Sequence, residues 1–352
     1  MSTLEGIIER IKPLDPSAGA AAQARLDDLT KPLGSLGRLE ELARRLAEIR
    51  GAAQLAQPLA AVAVFAADHG VAQAGVSPYP AEVTPQMVFN FLAGGAGINV
   101  LARHSGAQVR VVDVGVNYDF DDTPGLIKAK VAKGTANLMQ EPAMTLEQAR
   151  QAIGVGAQVA AQLIEEGHDL LIPGDMGIGN TTPCAALTSV LCGQPVAAVT
   201  GRGAGLDETG LVQKIKIIEQ ALALHQPSPD KPLEALAAVG GLEIAAICGY
   251  ILEAAAQGVP VILDGFIAGS GALVASRLCP AVKDYLFAGH CSVEIGHQVQ
   301  LEALGLTPIL NLNLRLGEGT GAALALNVLR AAVAIYNEMA TFADAGVTGH
   351  QD

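Results

Sequence analysis

Short apolar runs recur between longer helical patterns over most of this chain, and this alternation limits the fold more than any other feature. The runs are Ala60 to Ala67, Val109 to Val114, Leu170 to Ile172, Val196 to Val199, Val259 to Leu263 and Ile309 to Leu314. Strands alternating with helices of about ten or more residues predict βαβ units, a mostly parallel sheet and helices on both faces, so the expected class is α/β. Several runs are apolar throughout, as strands covered on both faces are. Each ends in a glycine-rich or acidic loop: Asp68-His69-Gly70, Asp113-Val114-Gly115, Gly174-Asp175-Met176-Gly177, Gly201-Arg202-Gly203, Asp264-Gly265 and Gly317-Glu318-Gly319. Open α/β sheets bind ligands beyond the carboxyl ends of their strands, so these loops are expected to converge on one site.

The flanks read differently. Leu36, Leu39, Leu42, Leu46 and Ile49 form a helical stripe after the turn Lys31-Pro32-Leu33-Gly34, with Ser35 as the expected N-cap. Ala322 to about Phe342 predicts a long amphipathic helix that returns to the N-terminal helices, with a frayed end after Asp344. The expected layout is residues 1–57 and 321–352 as a small helical domain and 58–320 as the large α/β domain.

Hydrophobic residues make up 50% of the chain and aromatics only 3%, so the core must be built from Ala, Val, Leu and Ile. A net charge of −13, from 22 Lys+Arg against 35 Asp+Glu, argues against a nucleic-acid partner, because phosphate neutralisation needs a basic face. Five cysteines without a CxxC pair point to a reducing cytoplasm and read as small core residues. Glu5 and Glu9 stand where a signal peptide needs an apolar stretch. The uncharged run around Thr181 to Gly201 is broken by Pro183, Gly193, Gln194 and Pro195, so no membrane span is expected.

Gly174 to Pro183 follows an expected strand and opens a helix, a setting in which backbone N–H groups and the positive helix end bind anions. Gly177, Gly179, Asn180 and Thr181 are its candidate phosphate contacts, and Asp175 is a candidate acceptor for sugar hydroxyls. The plain alternative is a strand-to-helix turn with Thr caps. Gly201-Arg202-Gly203-Ala204-Gly205 reads as a second strand-to-loop junction, with Lys214 on the next helix as a point charge or, equally, a solvated lysine. Asp68-His69-Gly70-Val71 with Tyr79, Gln86 and Met87 offers a mixed wall for a flat heterocycle, or a structural turn in which the acid satisfies the imidazole. His290 and His297 flank Cys291 and Glu294 without an HExxH spacing or a third ligand, so no metal is expected.

Glu318 stands out within Arg315-Leu316-Gly317-Glu318-Gly319-Thr320-Gly321. It reads as an exposed base stripped of shielding neighbours, or as a helix-start acid stabilised by the macrodipole. A dipole lowers its pKa, and an apolar pocket formed partly by Leu314 and Leu316 raises it.

Those segments, with Gly75-Val76-Ser77 to Val83-Thr84, Val239-Gly240-Gly241, Pro260-Val261-Ile262-Leu263-Asp264-Gly265-Phe266 and Lys31-Pro32-Leu33-Gly34-Ser35-Leu36-Gly37, resemble the nicotinate-nucleotide:dimethylbenzimidazole phosphoribosyltransferase family in order from about residue 30 to 340. The resemblance implies a Rossmann-like domain with a smaller helical one, a homodimer, and transfer of phosphoribose from nicotinate mononucleotide to 5,6-dimethylbenzimidazole with inversion, in the lower-ligand branch of cobalamin synthesis. It implies Glu318 as general base, Gly177, Gly179, Asn180, Thr181, Gly203 and Lys214 at the nucleotide phosphate, and Asp175 at the ribose. Tyr79, Gln86, Met87 and Leu316 are implied at the benzimidazole, with no cofactor and no metal. The chemistry is consistent: a pyridinium glycoside already carries a good leaving group, and the incoming azole needs one base for its N–H proton. A dinucleotide oxidoreductase fits less well, because no GxGxxG follows the first expected strand. A non-catalytic nucleotide-binding module has no use for the exposed acid.

Overall fold

The computed structural model describes residues 3–121 and 123–348. Helices α1 (Leu4–Ile8), α2 (Pro16–Asp28) and α3 (Arg38–Arg50) precede strand β1 (Ala60–Ala67). Helices α4 (Val83–Leu92) and α5 (Gly97–Ser105) lead into β2 (Gln108–Gly115) and β3 (Leu126–Lys128), and α6 (Leu146–Glu165) leads into β4 (Leu170–Met176). Between β4 and β5 (Val261–Leu263) lie α7 (Thr181–Cys192), α8 (Val196–Val199), α9 (Glu208–His225), α10 (Pro232–Val239) and α11 (Leu242–Ala256). The chain closes with α12 (Phe266–Leu278), β6 (Leu286–His290), α13 (Ile295–Leu304), β7 (Pro308–Leu310), α14 (Thr320–Glu338) and α15 (Phe342–Ala345).

All the strands pair in parallel in one sheet of order β3-β2-β1-β4-β5-β6-β7. Parallel neighbours need long crossovers, which the helices supply, and the α/β expectation holds. Every residue of β1 is buried, so its uninterrupted apolar run reflects its central place. Strand order reverses between β1 and β4, and the loops leaving these two strands part there to open a crevice.

Small residues let the helices close on the sheet. A Cβ added at Gly156 of α6 would lie 1.7 Å from the Ala246 carbonyl oxygen of α11, and one at Gly249 would lie 1.9 Å from that of Ile153. A core poor in aromatics thus reaches interior packing density by close backbone approach. The stripe of α3 is buried at Leu42, Leu46 and Ile49, and the helix packs on α2 and α14 as expected. Tyr336 Oη donates to Ala53 O at 2.6 Å and Arg25 Nε to Tyr336 O at 2.8 Å, tying the chain's two ends together. Their apolar residues join the same continuous core as the sheet.

Several local expectations need correction. Val196 to Val199 is the short helix α8, not a strand; Pro195 starts it, and Thr200 Oγ1 closes it by donating to Val196 O at 2.7 Å. A brief apolar run has no periodicity to separate the two states. Strand β4 continues past Ile172 to Met176, so Asp175 belongs to the strand, opposite Phe65. Strands β3 and β6 were not expected; the first is three residues long and the second carries a glycine. The last run forms a strand only over Pro308–Leu310, because Asn313 turns left-handed at φ 56°. Gly37, not Ser35, precedes α3, and the Leu36 N–H is taken by the Glu40 carboxylate at 2.9 Å. The final long helix stops at Glu338, and α15 follows with a Thr341–Asp344 capping box; the last residues of the expected frayed tail, 349–352, lie outside the described ones. Of the five cysteines, Cys192 and Cys291 are half-buried, not core.

Candidate active site

A cavity of about 410 Å³ opens at the carboxyl ends of the strands. It is walled by the segment after β1 (Val76, Ser77, Tyr79, Val83, Met87), by 175–181 from the end of β4 onward, by 265–267 after β5, by His290 at the end of β6 with Ser292 and Glu294 beyond it, and by 315–318 after β7. Gly203 and Ala204 close one side. A groove of about 490 Å³ elsewhere, along 141–146 and 237–238, has neither a strand-end acid nor a buried cation among its walls, so the chemistry belongs to the first cavity.

Glu318 enters it from a backbone few residues tolerate. Gly317, Glu318 and Gly319 are all left-handed, at φ 80°, 64° and 96°. A glutamate there costs about 1–2 kcal/mol, which the surroundings must hold in place. Two features do so. The Glu318 carbonyl oxygen sits against Gly174 of β4, where a Cβ would come within 2.3 Å of it. Asp264, after β5, accepts the N–H groups of Gly319, Gly321 and Ala322 at 3.2, 2.7 and 3.2 Å, capping α14.

With α14 capped by Asp264, the Glu318 side chain is left for another partner. Its Oε2 accepts the N–H of Ile98, in the first turn of α5, at 3.0 Å. The carboxyl group therefore does sit at a helix start, but of a helix far away in sequence. It is 5% exposed, so the sequence reading of an unpacked side chain is corrected: Glu318 is buried and reaches only the cavity. Burial raises its pKa and the Asp264 carboxylate adds to this, while the Ile98 N–H acts against them. Leu316 lines the same cavity but is 58% exposed, so enclosure by other residues does most of the raising.

The two glycine loops do converge. Lys214, fully buried on α9, donates from Nζ to Thr181 Oγ1 at 2.6 Å, at the first residue of α7. A Cβ on Gly203 would stand 3.4 Å from the same Nζ. Burial pushes Lys214 down to about 8, while Glu294 pulls the other way. Asn180 Nδ2 donates to Asp175 Oδ2 at 3.0 Å. Burial, with the carboxylates of Asp264 and Glu243 close by, raises Asp175 well above the ordinary carboxylate range. A buried cation, a helix start and glycine backbone can together hold an anion, and a carboxyl group of raised pKa in the same cavity can take up a proton.

A sequence model of a protein family described as Phosphoribosyltransferase matches residues 11–347. The chain belongs to this phosphoribosyltransferase family. It is 57% identical over 347 residues to the nicotinate-nucleotide–dimethylbenzimidazole phosphoribosyltransferase of Geobacter sulfurreducens, covering 99% of each chain. The enzyme of that name from Chloroflexus aurantiacus is 56% identical over 348 residues, again covering 99% of each. Among solved structures, the crystal structure of CobT from Thermus thermophilus matches with a TM-score of 0.92 and 53% identity, over 95% of this chain and 100% of that one.

Within this phosphoribosyltransferase, Glu318, Asp175, Gly177, Gly179, Asn180, Thr181, Gly203, Tyr79, Met87 and Leu316 all border the cavity, and Lys214 stands behind Thr181. Gln86 does not: it is exposed on α4 and absent from the walls. Asp68 and His69 are also withdrawn. His69 Nε2 pairs with Glu243 at 2.8 Å rather than with Asp68, and Asp68 Oδ2 accepts the Asn117 N–H at 2.8 Å. Burial favours the neutral His69 ring, but the Glu243 and Asp68 carboxylates outweigh it and raise the pKa. Arg202 turns to Glu208 on the surface, and the cation that meets the Gly203 loop is Arg315, whose Nη1 donates to Gly203 O at 3.0 Å. Arg315, Asp264, Ile98, Ser292 and Glu294 received no role from the sequence. The strand-end position of Asp264 signalled it; nothing local signalled Ile98.

Proposed function

We propose that the chain transfers the 5-phosphoribosyl group of nicotinate mononucleotide to 5,6-dimethylbenzimidazole, releasing nicotinate and forming α-ribazole 5′-phosphate for the lower ligand of cobalamin. The observation that carries this reading is Glu318, a buried carboxylate of raised pKa that shares one cavity with the Thr181–Lys214 anion site. Full-length similarity to enzymes bearing that name supports it.

In this reading the phosphate rests on Gly177, Gly179, Asn180, Thr181, Gly203 and the Lys214 charge, and Asp175 meets the ribose. Tyr79, Met87 and Leu316 bracket the benzimidazole; Gln86 has no part. One azole nitrogen attacks the anomeric carbon as the bond to the pyridine nitrogen breaks, and the pair in that bond leaves with the ring as nicotinate. The other azole nitrogen loses its proton to Glu318, so the product is a neutral N-glycoside. A base of raised pKa suits this step, being stronger than an ordinary carboxylate. The reaction requires no cofactor.

The proposal includes a cytoplasmic homodimer. Among the described residues no helix is long and apolar enough to cross a membrane, and exposed Phe89 and Tyr118, whose rings lie 5.8 Å apart, give an apolar patch that a second copy can cover. It also treats 1–57 with 321–352 as a small helical domain beside 58–320, supported by the packing of α3 on α14. Purified protein given nicotinate mononucleotide and dimethylbenzimidazole should release nicotinate and α-ribazole 5′-phosphate in equal amounts by chromatography. Absence of both products overturns the assignment.

A further inference from the structure

Glu294 is a buried acid of the cavity that the reaction as described does not use. It occupies the N-cap position of α13 but makes no side-chain bond to that helix. The residue is 8% exposed and lines the cavity, and its Oε2, sealed from solvent, accepts no hydrogen bond. A carboxylate buried without donors is costly unless a partner supplies them.

The surroundings hold the backbone that carries this side chain in place. The Ser292 N–H donates to His297 Nδ1 at 2.9 Å and the Glu294 N–H to Ser292 Oγ at 3.4 Å, fixing the loop. Burial pushes His297 down to about 3, so its ring is neutral and Nδ1 is a steady acceptor. Gly201 makes room, since a Cβ there would fall 2.2 Å from Glu294 Oε2. Glu294 thus lies on the Lys214 side of the cavity, where its charge is felt by the ammonium group, yet Lys214 directs its hydrogen bond to Thr181.

The chemistry of the substrates narrows what this acid can meet. The phosphate and the nicotinate carboxylate are anions and are repelled by it. A pyridinium glycoside has no N–H, and the azole N–H belongs to Glu318. The donors that remain are the ribose hydroxyls, which stand next to the phosphate. We infer that Glu294 accepts hydrogen bonds from the vicinal hydroxyls of the ribose and sets the preference of the enzyme for ribosyl over 2′-deoxyribosyl nucleotides. This deepens the function proposed above and rests on it. Asp175 already has a donor, the Asn180 amide on its Oδ2, whereas Glu294 Oε2 has none, so discrimination falls to Glu294.

Isothermal titration of nicotinate mononucleotide and its 2′-deoxy analogue into wild type, Glu294→Gln and Glu294→Ala tests this, with inorganic phosphate as a third ligand. Wild type should prefer the ribo form by about ten- to hundredfold, the range for one hydrogen bond to a charged group. Both variants should bind the two nucleotides nearly alike, with inorganic phosphate unchanged. Glu294→Gln keeps the side-chain shape and carries the test should Glu294→Ala fail to fold. Variants that keep the preference overturn the inference, as do variants that lose phosphate in the same proportion, which would make Glu294 a counterion of Lys214. Turnover of the proposed substrate pair by wild type keeps either failure separate from failure of the parent reading.

Discussion

The carboxylate of Glu318 accepts the backbone N–H of Ile98 at 3.0 Å, joining the loop after the last strand to a helix that lies 220 residues earlier in the chain. The bond fixes one carboxylate oxygen and favours the ionised form, while burial favours the neutral one. The proton affinity of a carboxyl group in this balance is set by where α5 begins.

Replacing Glu318 with Gln should leave the fold and nucleotide binding intact and lower kcat by about 10²- to 10⁴-fold, the usual contribution of a positioned base. Nicotinate release by chromatography and nucleotide affinity by calorimetry measure the two halves. Turnover near that of wild type would remove Glu318 from the role of base.

Proline at position 98 should shift the pH profile. Proline is tolerated in the first turn of a helix but lacks the N–H that Glu318 uses. With that donor gone the carboxyl pKa rises further, so the acidic limb of kcat against pH should move to higher pH. A profile unmoved by Ile98→Pro would show that the bond does not tune the base.

Lys214→Ala should weaken nicotinate mononucleotide far more than dimethylbenzimidazole. In wild type the free ammonium group is charged below about pH 8 and loses its proton above it, so nucleotide affinity should fall as pH rises through that value. Equal losses for the two ligands, measured by calorimetry, would put the phosphate elsewhere.

Asp175 has a raised folded-state pKa, so the folded protein binds a proton there that the unfolded chain releases at lower pH. Its contribution to stability is thus most favourable below the unfolded pKa and declines as pH rises toward the folded one. Asp175→Asn removes that decline while keeping an acceptor for Asn180. The Tm of the variant relative to wild type should increase as pH rises above the ordinary carboxylate range; a constant difference in calorimetric melting would contradict a raised Asp175 pKa.

Gly174→Ala puts a methyl group where only 2.3 Å separates it from the Glu318 carbonyl oxygen. Such overpacking costs about 1–3 kcal/mol and must push the 317–319 turn outward. Denaturant unfolding should show the loss, and kcat should fall with little change in nucleotide affinity, because Lys214 is held by Thr181 and not by that turn.

Much of the architecture was legible in the sequence because the central strands are buried on both faces. Ala60 to Ala67 and Val109 to Val114 read as strands for that reason, and the convergence of their loops follows from parallel topology. Val196 to Val199 misled because four apolar residues carry no period, and β6 escaped notice because a glycine interrupts it. Glu318 could be picked out from its glycines, since a left-handed turn leaves a local trace in residue type. Its environment leaves none: Asp264 takes over the cap of α14, Ile98 meets the carboxylate, and Glu243 claims His69 away from Asp68. By itself, then, the sequence determined the fold class and the family and drew attention to Glu318, because periodicity and glycine placement are local properties of the chain. Only the tertiary structure decided that this acid is buried, which helix start it faces, and which other carboxylates surround it, because burial and charge proximity come from segments that meet only when the sheet forms.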